Sequence, residues 1–330
     1  MCSEFIHSSW VESDVNYEAP LRPSKISDFI GQSSVLSRMK ICIEAAKKRK
    51  EALGHLLFFG PPGLGKTTLA QIVAKEMEGN LTTTSGPALE KAGDLAGLLT
   101  NLKTGDVLFI DEIHRLPKAI EEYLYSAMED YTLDLIIDTG ANARSVPLKL
   151  NPFTLVAATT KAGLLSSPLR SRFSISLRLD FYEPKDLQKI IERSALLLKI
   201  KLDASGALEI AQRSRGTPRI ANNLLRWVRD FAETHNVKTI DLALVKKALD
   251  LLAIDEKGLD EMDIKYLTTI ISHHKGGPVG IQTIAVALGE EIATLEEVSE
   301  PYLIMQGFLR RTPRGRETTD LAYSHLRLKK

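Results

Sequence analysis

Apolar or β-branched runs alternate with amphipathic segments through the first 180 residues of the chain. The runs are four to six residues long, which suits buried strands, and they lie at 56–59, 81–85, 106–110, 153–158 and 177–181. Between them, residues at helical spacing lie at 33–53, 68–77 and 92–102. This alternation predicts an α/β domain with a parallel sheet.

The pattern changes after Tyr182-Glu183-Pro184, beyond which no strand-like run appears. Helical spacing continues through segments at 185–200, 205–214, 217–234 and 241–252. A short polar stretch at 255–258 then predicts a linker. We therefore predict a first domain over 1–182 and an all-α domain over 183–255.

The pattern of residues 256–330 predicts a third, compact domain. Helical segments at 260–273, 281–288 and 294–304 precede a turn rich in Gly, Pro and Arg, and a last helix is expected from Thr318. Three short helices followed by a basic turn indicate a winged helix-turn-helix domain. A small helical module that docks another protein has a similar pattern and stays open as the alternative.

Residues 131–150 predict a β-hairpin that protrudes from the first domain. Two alternating strands flank a turn-rich tip at 138–142, and Ile136 or Ile137 is expected to face outward. Exposed apolar hairpins are unusual on soluble monomers, so partner binding and simple decoration of an edge are both open. Residues 1–19 lack periodicity and are expected to form a loosely held arm.

Composition and charge narrow the class of protein. The chain is 44% hydrophobic and 26% charged, which is ordinary for a globular protein. The net charge of +1 points to no partner, but residues 301–330 hold seven Lys and Arg against two acids. The basic run 47–50 lies on a predicted helix and is interpreted as a solvated face rather than a nucleic-acid patch.

The cysteine content indicates a reducing compartment. Cys2 and Cys42 are the two cysteines of the sequence, too few for a disulfide framework of the secreted kind. No signal-peptide pattern is visible, and no apolar run approaches the length of a transmembrane helix. We expect a cytoplasmic protein.

One strand-to-helix junction carries a glycine-rich loop. Residues 60–67, Gly-Pro-Pro-Gly-Leu-Gly-Lys-Thr, match the Walker A pattern G-x-x-x-x-G-K-[ST]. Glycines let backbone N–H groups face phosphates, and the helix N-terminus adds partial positive charge. Lys66 is then expected to reach the β- and γ-phosphates, and Thr67 to hold Mg²⁺ through its hydroxyl. A chance glycine-rich turn would not need both the strand and the helix that flank this loop.

A second junction ends an apolar run with two acids, Asp111 and Glu112, 45 residues after Lys66. Because the carboxyl ends of parallel strands share one edge of a sheet, Asp111 is expected to hold Mg²⁺ through water. Glu112 is expected to polarise the attacking water. Thr159 and Thr160 end another apolar run and are expected at the same edge, beside the γ-phosphate.

Two further arginines stand near predicted turns. Arg172 lies in a turn after the Thr160 strand and in isolation reads as a surface charge. Arg219 lies in the first turn of a helix that Thr217 is expected to cap and Pro218 to open. A cation there opposes the helix dipole, so a bound anion is expected beside Arg219.

Four arginines cluster within seven residues near the C-terminus, namely Arg310, Arg311, Arg314 and Arg316. A turn cannot bury so many charges without partners, and phosphate is the expected partner in a winged helix. Such contacts would read the DNA backbone and not its sequence.

Taken together, these residues resemble the RuvB family, bacterial AAA+ motors that drive branch migration of Holliday junctions. The resemblance covers about residues 20 to 326. It rests on motifs at 21–23, 60–67, 109–116, 158–163, 167–173, 216–219 and 306–316. The second and third of these are common to AAA+ proteins, whereas the others are more specific, above all 306–309 before the arginines. The implied fold is a P-loop AAA+ domain, an all-α lid and a winged-helix domain.

The resemblance implies site roles that spacing alone leaves open. The adenine pocket would be lined by Leu21, Arg22, Ile30 and Tyr182. The phosphates would meet Gly63, Gly65, Lys66, Thr67 and Thr68, and Mg²⁺ would be held at Thr67 and Asp111. Catalysis would fall to Lys66, Glu112, Thr160 as sensor 1 (Thr159 stays open) and Arg172 as an arginine finger for the neighbouring subunit. Arg219 would be sensor 2, and Glu129, Asp130 and Tyr131 would lie near nucleotide.

The resemblance also implies partners. It implies ATP and Mg²⁺, a homohexameric ring, and duplex DNA contacted by Arg311 and Arg316, with Arg314 as a third candidate. The hairpin would dock the junction-binding protein RuvA, and the resolvase RuvC would be a further partner. A clamp loader or protein remodeller is the alternative within ATPases, and a nucleotide-gated DNA-binding regulator is the alternative outside them. The basic C-terminal turn argues against the first, and Glu112 with Arg172 argues against the second.

Overall fold

The computed structural model describes residues 19–137 and 144–329. Among these, residues 19–182 form one compact unit and residues 183–329 form another. The predicted arm at 1–19, apart from Ala19, lies outside the described residues, as does the hairpin tip. Among the described residues, no helix is both long and apolar enough to span a membrane.

The first unit is built on a five-stranded parallel sheet. Its strands are β1 (Leu56–Phe59), β2 (Leu81–Ser85), β3 (Val107–Asp111), β6 (Thr154–Thr159) and β7 (Ile175–Arg178). They lie in the order β2-β3-β6-β1-β7. Every residue of β6 is buried, as a strand inside a parallel sheet requires. The predicted α/β sheet is confirmed, with β3 reaching one residue further than its pattern indicates.

Helices cover this sheet. They are α1 (Ser33–Arg49), α2 (Lys66–Glu76), α3 (Ala92–Thr100), α4 (Lys118–Glu129) and α5 (Ser167–Ser171). The sequence interpretation assigned no element to α4, and it described the α5 segment as a turn. Here a helix forms because the Ser166 hydroxyl accepts the N–H of Leu169 at 3.2 Å and Pro168 stands in the first turn.

The predicted hairpin forms a separate two-stranded sheet from β4 (Thr132–Ile137) and β5 (Arg144–Lys149). Its base is held in the core by Leu133 and Leu150, which are 1% and 4% exposed. Val146, opposite Leu135 in the register, is 45% exposed. The side chains of Ile136 and Ile137 lie outside what the structure describes.

The second unit begins with four helices, here named the lid (183–255). They are α6 (Pro184–Leu197), α7 (Ala204–Arg213), α8 (Pro218–Thr234) and α9 (Leu242–Leu251). Asp203 and Asp241 cap two of them through their carboxylates. Thr217 stands at the N-cap of α8 as predicted, but its hydroxyl donates to the Arg215 carbonyl at 3.2 Å instead of accepting from the helix.

The remaining residues of this unit, here named the head (256–329), form the predicted winged helix. Its elements are α10 (Glu261–His274), α11 (Ile281–Leu288), α12 (Ile292–Thr294), a π-helical turn (Leu295–Ser299), α13 (Glu300–Met305) and α14 (Asp320–His325). Strands β8 (Leu309–Thr312) and β9 (Gly315–Thr318) pair antiparallel as the wing. This hairpin confirms the winged helix over a purely helical module, and the last helix begins two residues later than expected.

Residues 255–258 were expected to act as a linker, but they fold into a hydrogen-bonded turn. The Asp255 carboxylate accepts the N–H groups of Lys257 and Leu259 at 2.8 and 2.9 Å. Gly258 has φ +74°, and a Cβ there would lie 2.7 Å from the Arg213 carbonyl oxygen. The turn therefore packs directly against the end of α7.

Candidate nucleotide site and DNA-binding wing

The loop between β1 and α2 forms an open cradle of backbone. Gly60, Gly63 and Gly65 have φ of +141°, +76° and +100°, which side chains rarely allow. A Cβ on Gly60 would stand 2.3 Å from the Leu179 carbonyl oxygen. Glycine is therefore required by the loop's own shape and by its packing on the sheet.

Lys66 stands at the start of α2 with its side chain drawn back over the loop. It is 7% exposed, and its Nζ donates to the carbonyls of Gly60 at 2.8 Å and Pro61 at 2.9 Å. Thr67 and Thr68 follow it in the first turn of the helix. An ammonium held beside the backbone N–H groups of a helix N-terminus fits a polyphosphate.

The strand register brings the second motif to this loop. Asp111 ends β3 and Thr159 ends β6, the strand between β3 and β1. The Gly60 N–H donates to the Thr159 carbonyl at 3.2 Å, which ties the loop to the next strand. The predicted meeting of phosphate loop, acid pair and threonines at one sheet edge is what the structure has.

Glu112 is held in place by three contacts. Its backbone is left-handed, with φ +46°, and its Oε2 accepts the Thr160 hydroxyl at 3.1 Å and the Thr160 N–H at 3.3 Å. The Nδ1 of His114 lies 3.0 Å from the same oxygen. These contacts hold the Glu112 carboxylate in one orientation beside the ends of β3 and β6.

The two threonines have different environments. Thr159 is fully buried, and its hydroxyl lies 2.9 Å from Nδ1 of His114. Thr160 is partly exposed and bonds Glu112 directly. The sequence analysis assigned no role to His114, although its position two residues after Glu112 already indicated that it could lie near that carboxylate.

Aromatic and apolar residues flank the loop. The Tyr182 hydroxyl donates to the Leu64 carbonyl at 3.2 Å, and the Phe29 ring would lie 3.1 Å from a Cβ on Gly65. Of the residues expected to line an adenine pocket, Leu21 and Tyr182 are buried, whereas Arg22 and Ile30 are partly exposed. Phe29 was not among them.

Arg172 lies in the turn directly after α5, as the sequence predicts, but it is only partly exposed. Its side chain is 18% exposed, with Nη2 3.0 Å from the Glu129 carboxylate and Nη1 2.7 Å from the Pro168 carbonyl. The guanidinium stacks on the Tyr125 ring, 4.4 Å from its centroid. Its Nε is buried and has no hydrogen-bond partner among the described residues.

Tyr125 also braces the helix that carries Arg172. Its hydroxyl donates to Glu121 at 2.8 Å and lies 3.1 Å from Ser166 Oγ, the N-cap of α5. Ser166 bonds Glu121 as well, so α4 and α5 share one hydrogen-bonded network. Burial raises the pKa of Tyr125, which keeps the hydroxyl protonated.

Residues 129–131 lie in three settings. Glu129 is the exposed carboxylate that meets Arg172. Asp130 is exposed at the end of α4. The Tyr131 ring packs on Phe153 and His55, with ring centroids 5.9 and 6.4 Å away, and burial raises its pKa.

Arg219 stands where the sequence predicts it, in the first turn of α8 and partly exposed. It belongs to the second compact unit of the chain, whereas the phosphate loop belongs to the first.

Two of the four wing arginines have carboxylate partners within the protein, whereas phosphate was the partner expected from the sequence. Arg311 and Arg316 stand opposite each other across β8 and β9, and both meet the fully buried carboxylate of Glu300. Arg316 Nε lies 2.9 Å from Glu300 Oε1, and its Nη2 lies 2.6 Å from Glu296. Burial is the largest single influence on the pKa of Arg316 and acts to lower it. The contacts with Glu300 and Glu296 together outweigh burial, so the pKa is raised.

The exposure of the wing arginines differs. The Arg316 side chain is 15% exposed and that of Arg311 is 48% exposed. Arg310 and Arg314 are exposed residues, and neither has an ion pair with another described residue. Tyr266 donates to Glu300 at 2.7 Å and completes this cluster. The sequence analysis missed the contact because Tyr266 and Glu300 are 34 residues apart.

The donor set at the sheet edge suits Mg²⁺ bound together with a nucleotide. Among the described residues, no group of three or more His, Cys, Asp and Glu side chains could hold a metal ion by itself. The candidate ligands are one hydroxyl, Thr67, and one carboxylate, Asp111. Within the part of the chain that the structure describes, Asp111 Oδ1 accepts the N–H of Glu112 at 2.9 Å. A cation that takes its other ligands from phosphate and water fits so few protein ligands.

Three family models match consecutive parts of the chain. Residues 21–179 match the Holliday junction DNA helicase RuvB P-loop domain. Residues 182–255 match the RuvB AAA lid domain, and residues 256–327 match the RuvB C-terminal winged helix domain.

Individual relatives agree with these models. The chain is 61% identical to the Holliday junction branch migration complex subunit RuvB of Protochlamydia amoebophila, over 99% of this chain and 98% of that protein. It is 58% identical to the protein of the same name from Chlorobaculum tepidum, over 94% and 91%. The structure described as the Thermotoga maritima RuvB Holliday junction branch migration motor superposes with a TM-score of 0.85 at 52% identity, covering 94% of this chain and 99% of that one. With its phosphate loop, lid and wing each matched in order, the chain belongs to the RuvB family.

Proposed function

We propose that this chain is the ATP-hydrolysing subunit of a ring-shaped motor that moves duplex DNA and so drives branch migration of Holliday junctions in recombination and repair. The observation that carries the proposal is the sheet edge where the phosphate loop, Asp111, Glu112 and Thr160 meet, in a chain that also has a winged helix. Such a motor needs at least a nucleotide-hydrolysing site and a DNA-binding domain, and this polypeptide has candidates for both.

ATP is the proposed substrate, with its phosphates over residues 60–67 and its adenine beside Leu21 and Tyr182. Mg²⁺, bound through Thr67 and Asp111, would neutralise charge on the phosphates. Lys66 would leave the carbonyls of Gly60 and Pro61 for phosphate oxygens. Glu112 would orient the attacking water, because Thr160 and His114 already fix its carboxylate.

Arg172 is the proposed arginine finger, acting on the nucleotide of the neighbouring subunit in a homohexamer. Its support is a partly exposed guanidinium that stacks on Tyr125 and meets one exposed carboxylate, Glu129. Moving from Glu129 to a γ-phosphate would exchange one charge-assisted hydrogen bond for another. Glu129 would then belong to the same intersubunit site, together with Asp130 and Tyr131.

Thr160 and Arg219 are the proposed sensors of the γ-phosphate. Hydrolysis would remove their shared anion, and the lid could then move against the first unit. Thr160 is supported over Thr159 because Thr160 bonds Glu112 and is partly exposed, whereas Thr159 is fully buried.

RuvA is the proposed partner of the hairpin, with RuvC as a further partner of the assembly. The support is a hairpin whose base is buried in the core while Val146 is 45% exposed. Val146→Asp should lower RuvA-stimulated migration and leave the thermal midpoint and basal ATPase little altered, as surface changes usually do. A large loss of stability would instead return Val146 to a structural role.

DNA contacts are proposed for Arg311, Arg314 and Arg316, all to the phosphate backbone, because a translocating motor must accept any sequence. Since its substrate is a recombination intermediate of the bacterial chromosome, we place the protein in the cytoplasm.

The deciding experiment is a junction assay with the full chain, run with and without RuvA and with ATP, ADP or no nucleotide. ATP-dependent conversion of junctions to duplex products is the expected result. Hydrolysis without migration under any condition would favour a clamp loader or remodeller. DNA binding that responds to nucleotide with negligible turnover would favour a regulator.

A further inference from the structure

The lid and head are joined by a buried arginine. Arg215 lies between α7 and α8 and is 3% exposed, although its sequence neighbours belong to the lid. Its Nη1 stands 2.9 Å from Asp263 Oδ2 and 3.8 Å from Asp260 Oδ2, both at the start of α10 in the head. Asp263 is fully buried, so the lid contributes one half of an ion pair inside the head.

Arg215 also reaches the other side of the head. Its Nη2 donates to the Val298 carbonyl in the π-helical turn at 3.3 Å, and its guanidinium lies 4.5 Å from the centroid of the Tyr302 ring. One side chain therefore contacts α10, the π-helical turn and α13. Its backbone is left-handed, with φ +53°, a conformation that costs free energy in a residue other than glycine.

The turn at 255–258 strengthens the same junction. The His325 ring bonds Asp255 at 2.6 Å, and Tyr302 donates to the Lys257 carbonyl at 2.5 Å. Gly258 packs on the Arg213 backbone so closely that no side chain fits. The lid and head accordingly form one compact unit, without a free linker between them.

Arg215 precedes Arg219 by four residues, and Gly216, Thr217 and Pro218 separate them. A hydrogen bond within this segment, from the Thr217 hydroxyl to the Arg215 carbonyl, ties Arg215 to the start of α8. We propose that Arg215 is a positioning residue that holds the DNA-binding head rigidly to the lid, so that a nucleotide-driven displacement at Arg219 moves the head as part of the same body. This inference rests on the proposed function of Arg219 as a nucleotide sensor.

Arg213 offers a matched control. It is also 3% exposed, but its partners all lie in the lid: Glu209 at 2.7 Å, Asp250 at 3.1 Å and the Ile254 carbonyl at 2.7 Å. Replacing either arginine by methionine keeps most of the alkyl stem and removes the charge. Burial raises the pKa of Asp263 to about 7 against the opposing effect of Arg215, so Asp263 can take up a proton when Arg215 is absent.

The test compares Arg215→Met and Arg213→Met in the full chain with RuvA and a Holliday junction. The measured quantity is junction migrated per ATP hydrolysed. Arg215→Met should hydrolyse ATP within about twofold of wild type while this ratio falls by roughly two- to thirtyfold, the span of measured coupling effects. Arg213→Met should alter stability and leave the ratio unchanged, and Arg215→Lys should restore part of it.

A distance measurement gives a second, activity-independent readout. Spin labels at Leu196 in the lid and Val286 in the head, which are 78% and 84% exposed, should report one narrow distance with ADP or an ATP analogue. Arg215→Met, or Gly258→Ala, should broaden it. An unchanged ratio and an unchanged distance distribution in Arg215→Met would overturn the proposal. Absence of ATP-dependent migration by wild type would instead overturn the proposed function.

Discussion

The phosphate loop and the wing both carry cations for which we propose phosphate partners, but they hold those cations differently. Lys66 rests on two backbone carbonyls of its own loop. Arg311 and Arg316 share a buried carboxylate, Glu300, with Glu296 beside it. These two contacts of Lys66 are with neutral dipoles, whereas Arg311 and Arg316 contact full negative charges.

This difference matches two kinds of binding. A cation held by carbonyls retains most of its attraction for an incoming anion, which suits tight, localised contact with a nucleotide. A guanidinium already paired with carboxylate gains less from phosphate, although it is fixed in place and needs no ordering. Weak, preorganised contacts suit a motor that must release the DNA backbone at every step.

The largest expected effect lies at the edge of the nucleotide site. Arg172→Ala should lower hydrolysis by about 10³- to 10⁵-fold, the range seen when an arginine finger is lost. Mixed rings of Arg172→Ala and Lys66→Ala subunits should recover some hydrolysis, because sites with Lys66 then meet neighbours with Arg172. Steady-state ATPase of rings shown to be mixed is the measurement, and no recovery at any ratio would argue against action in trans.

Glu112→Gln should be the next most severe change. The amide keeps the contact with Thr160 but cannot orient water as a base, so turnover should fall about 10²- to 10⁴-fold while nucleotide still binds. Glu122→Gln, an exposed glutamate on α4, is the matched control. Hydrolysis by Glu112→Gln within about twofold of wild type would remove Glu112 from the reaction.

The wing should show smaller and more uniform effects. Arg311→Ala, Arg314→Ala and Arg316→Ala should each weaken duplex binding equally for unrelated sequences and lower the salt slope by about one unit. Titration against two duplexes at several salt concentrations measures this. If a variant has the same duplex affinity and the same salt slope as wild type, the arginine that it replaces does not contact DNA.

Thermal unfolding of the same variants sharpens the comparison. Arg316→Ala leaves the buried Glu300 carboxylate partly unpaired and should lower the free energy of unfolding by about 1–3 kcal/mol. Arg314→Ala should leave the free energy of unfolding almost unchanged. Adding Glu300→Gln to Arg316→Ala should recover stability without recovering DNA binding. Recovery of both would mean that Arg316 serves the fold alone.

The last prediction concerns the pH dependence of stability and a buried histidine, His55, which directly precedes strand β1 of the parallel sheet. His55 is 5% exposed, its Nδ1 accepts the Leu155 N–H at 2.9 Å, and Nε2 lies 3.0 Å from the Met128 carbonyl. The neutral ring with hydrogen on Nε2 satisfies both bonds. Burial lowers the pKa of His55 below its ordinary value of 6.5, and the Met128 hydrogen bond opposes this only in part.

Acid should therefore destabilise the first unit through His55. Below pH 6.5 the unfolded chain binds the proton and the folded chain does not, so stability falls as pH falls, by at most about 1.4 kcal/mol per pH unit. His55→Gln, whose amide can make the same two bonds, should flatten this slope. Thermal midpoints of both proteins at pH 7.5 and 5.5 test it, and parallel slopes would contradict it.

Much of the site was predictable because its groups lie at fixed positions relative to strand ends. Residues 60–67 and Asp111-Glu112 are local patterns, and parallel strands bring their carboxyl ends to one edge whatever the loops between them do. Most of the order of strands and helices likewise follows from periodicity, although the twelve-residue helix α4 was assigned no element. The short helix α5 was missed because five residues are too few for a period to show.

Only the tertiary structure decided which charges have partners. Glu300 meets Arg316, and Arg215 meets Asp263, through chain separations that no local pattern encodes. The sequence by itself determined the AAA+ architecture, the phosphate loop and the acid pair, because these depend on backbone geometry and adjacent residues. The buried ion pairs depend on how separate helices pack, and electrostatic attraction becomes decisive only after that packing has excluded water.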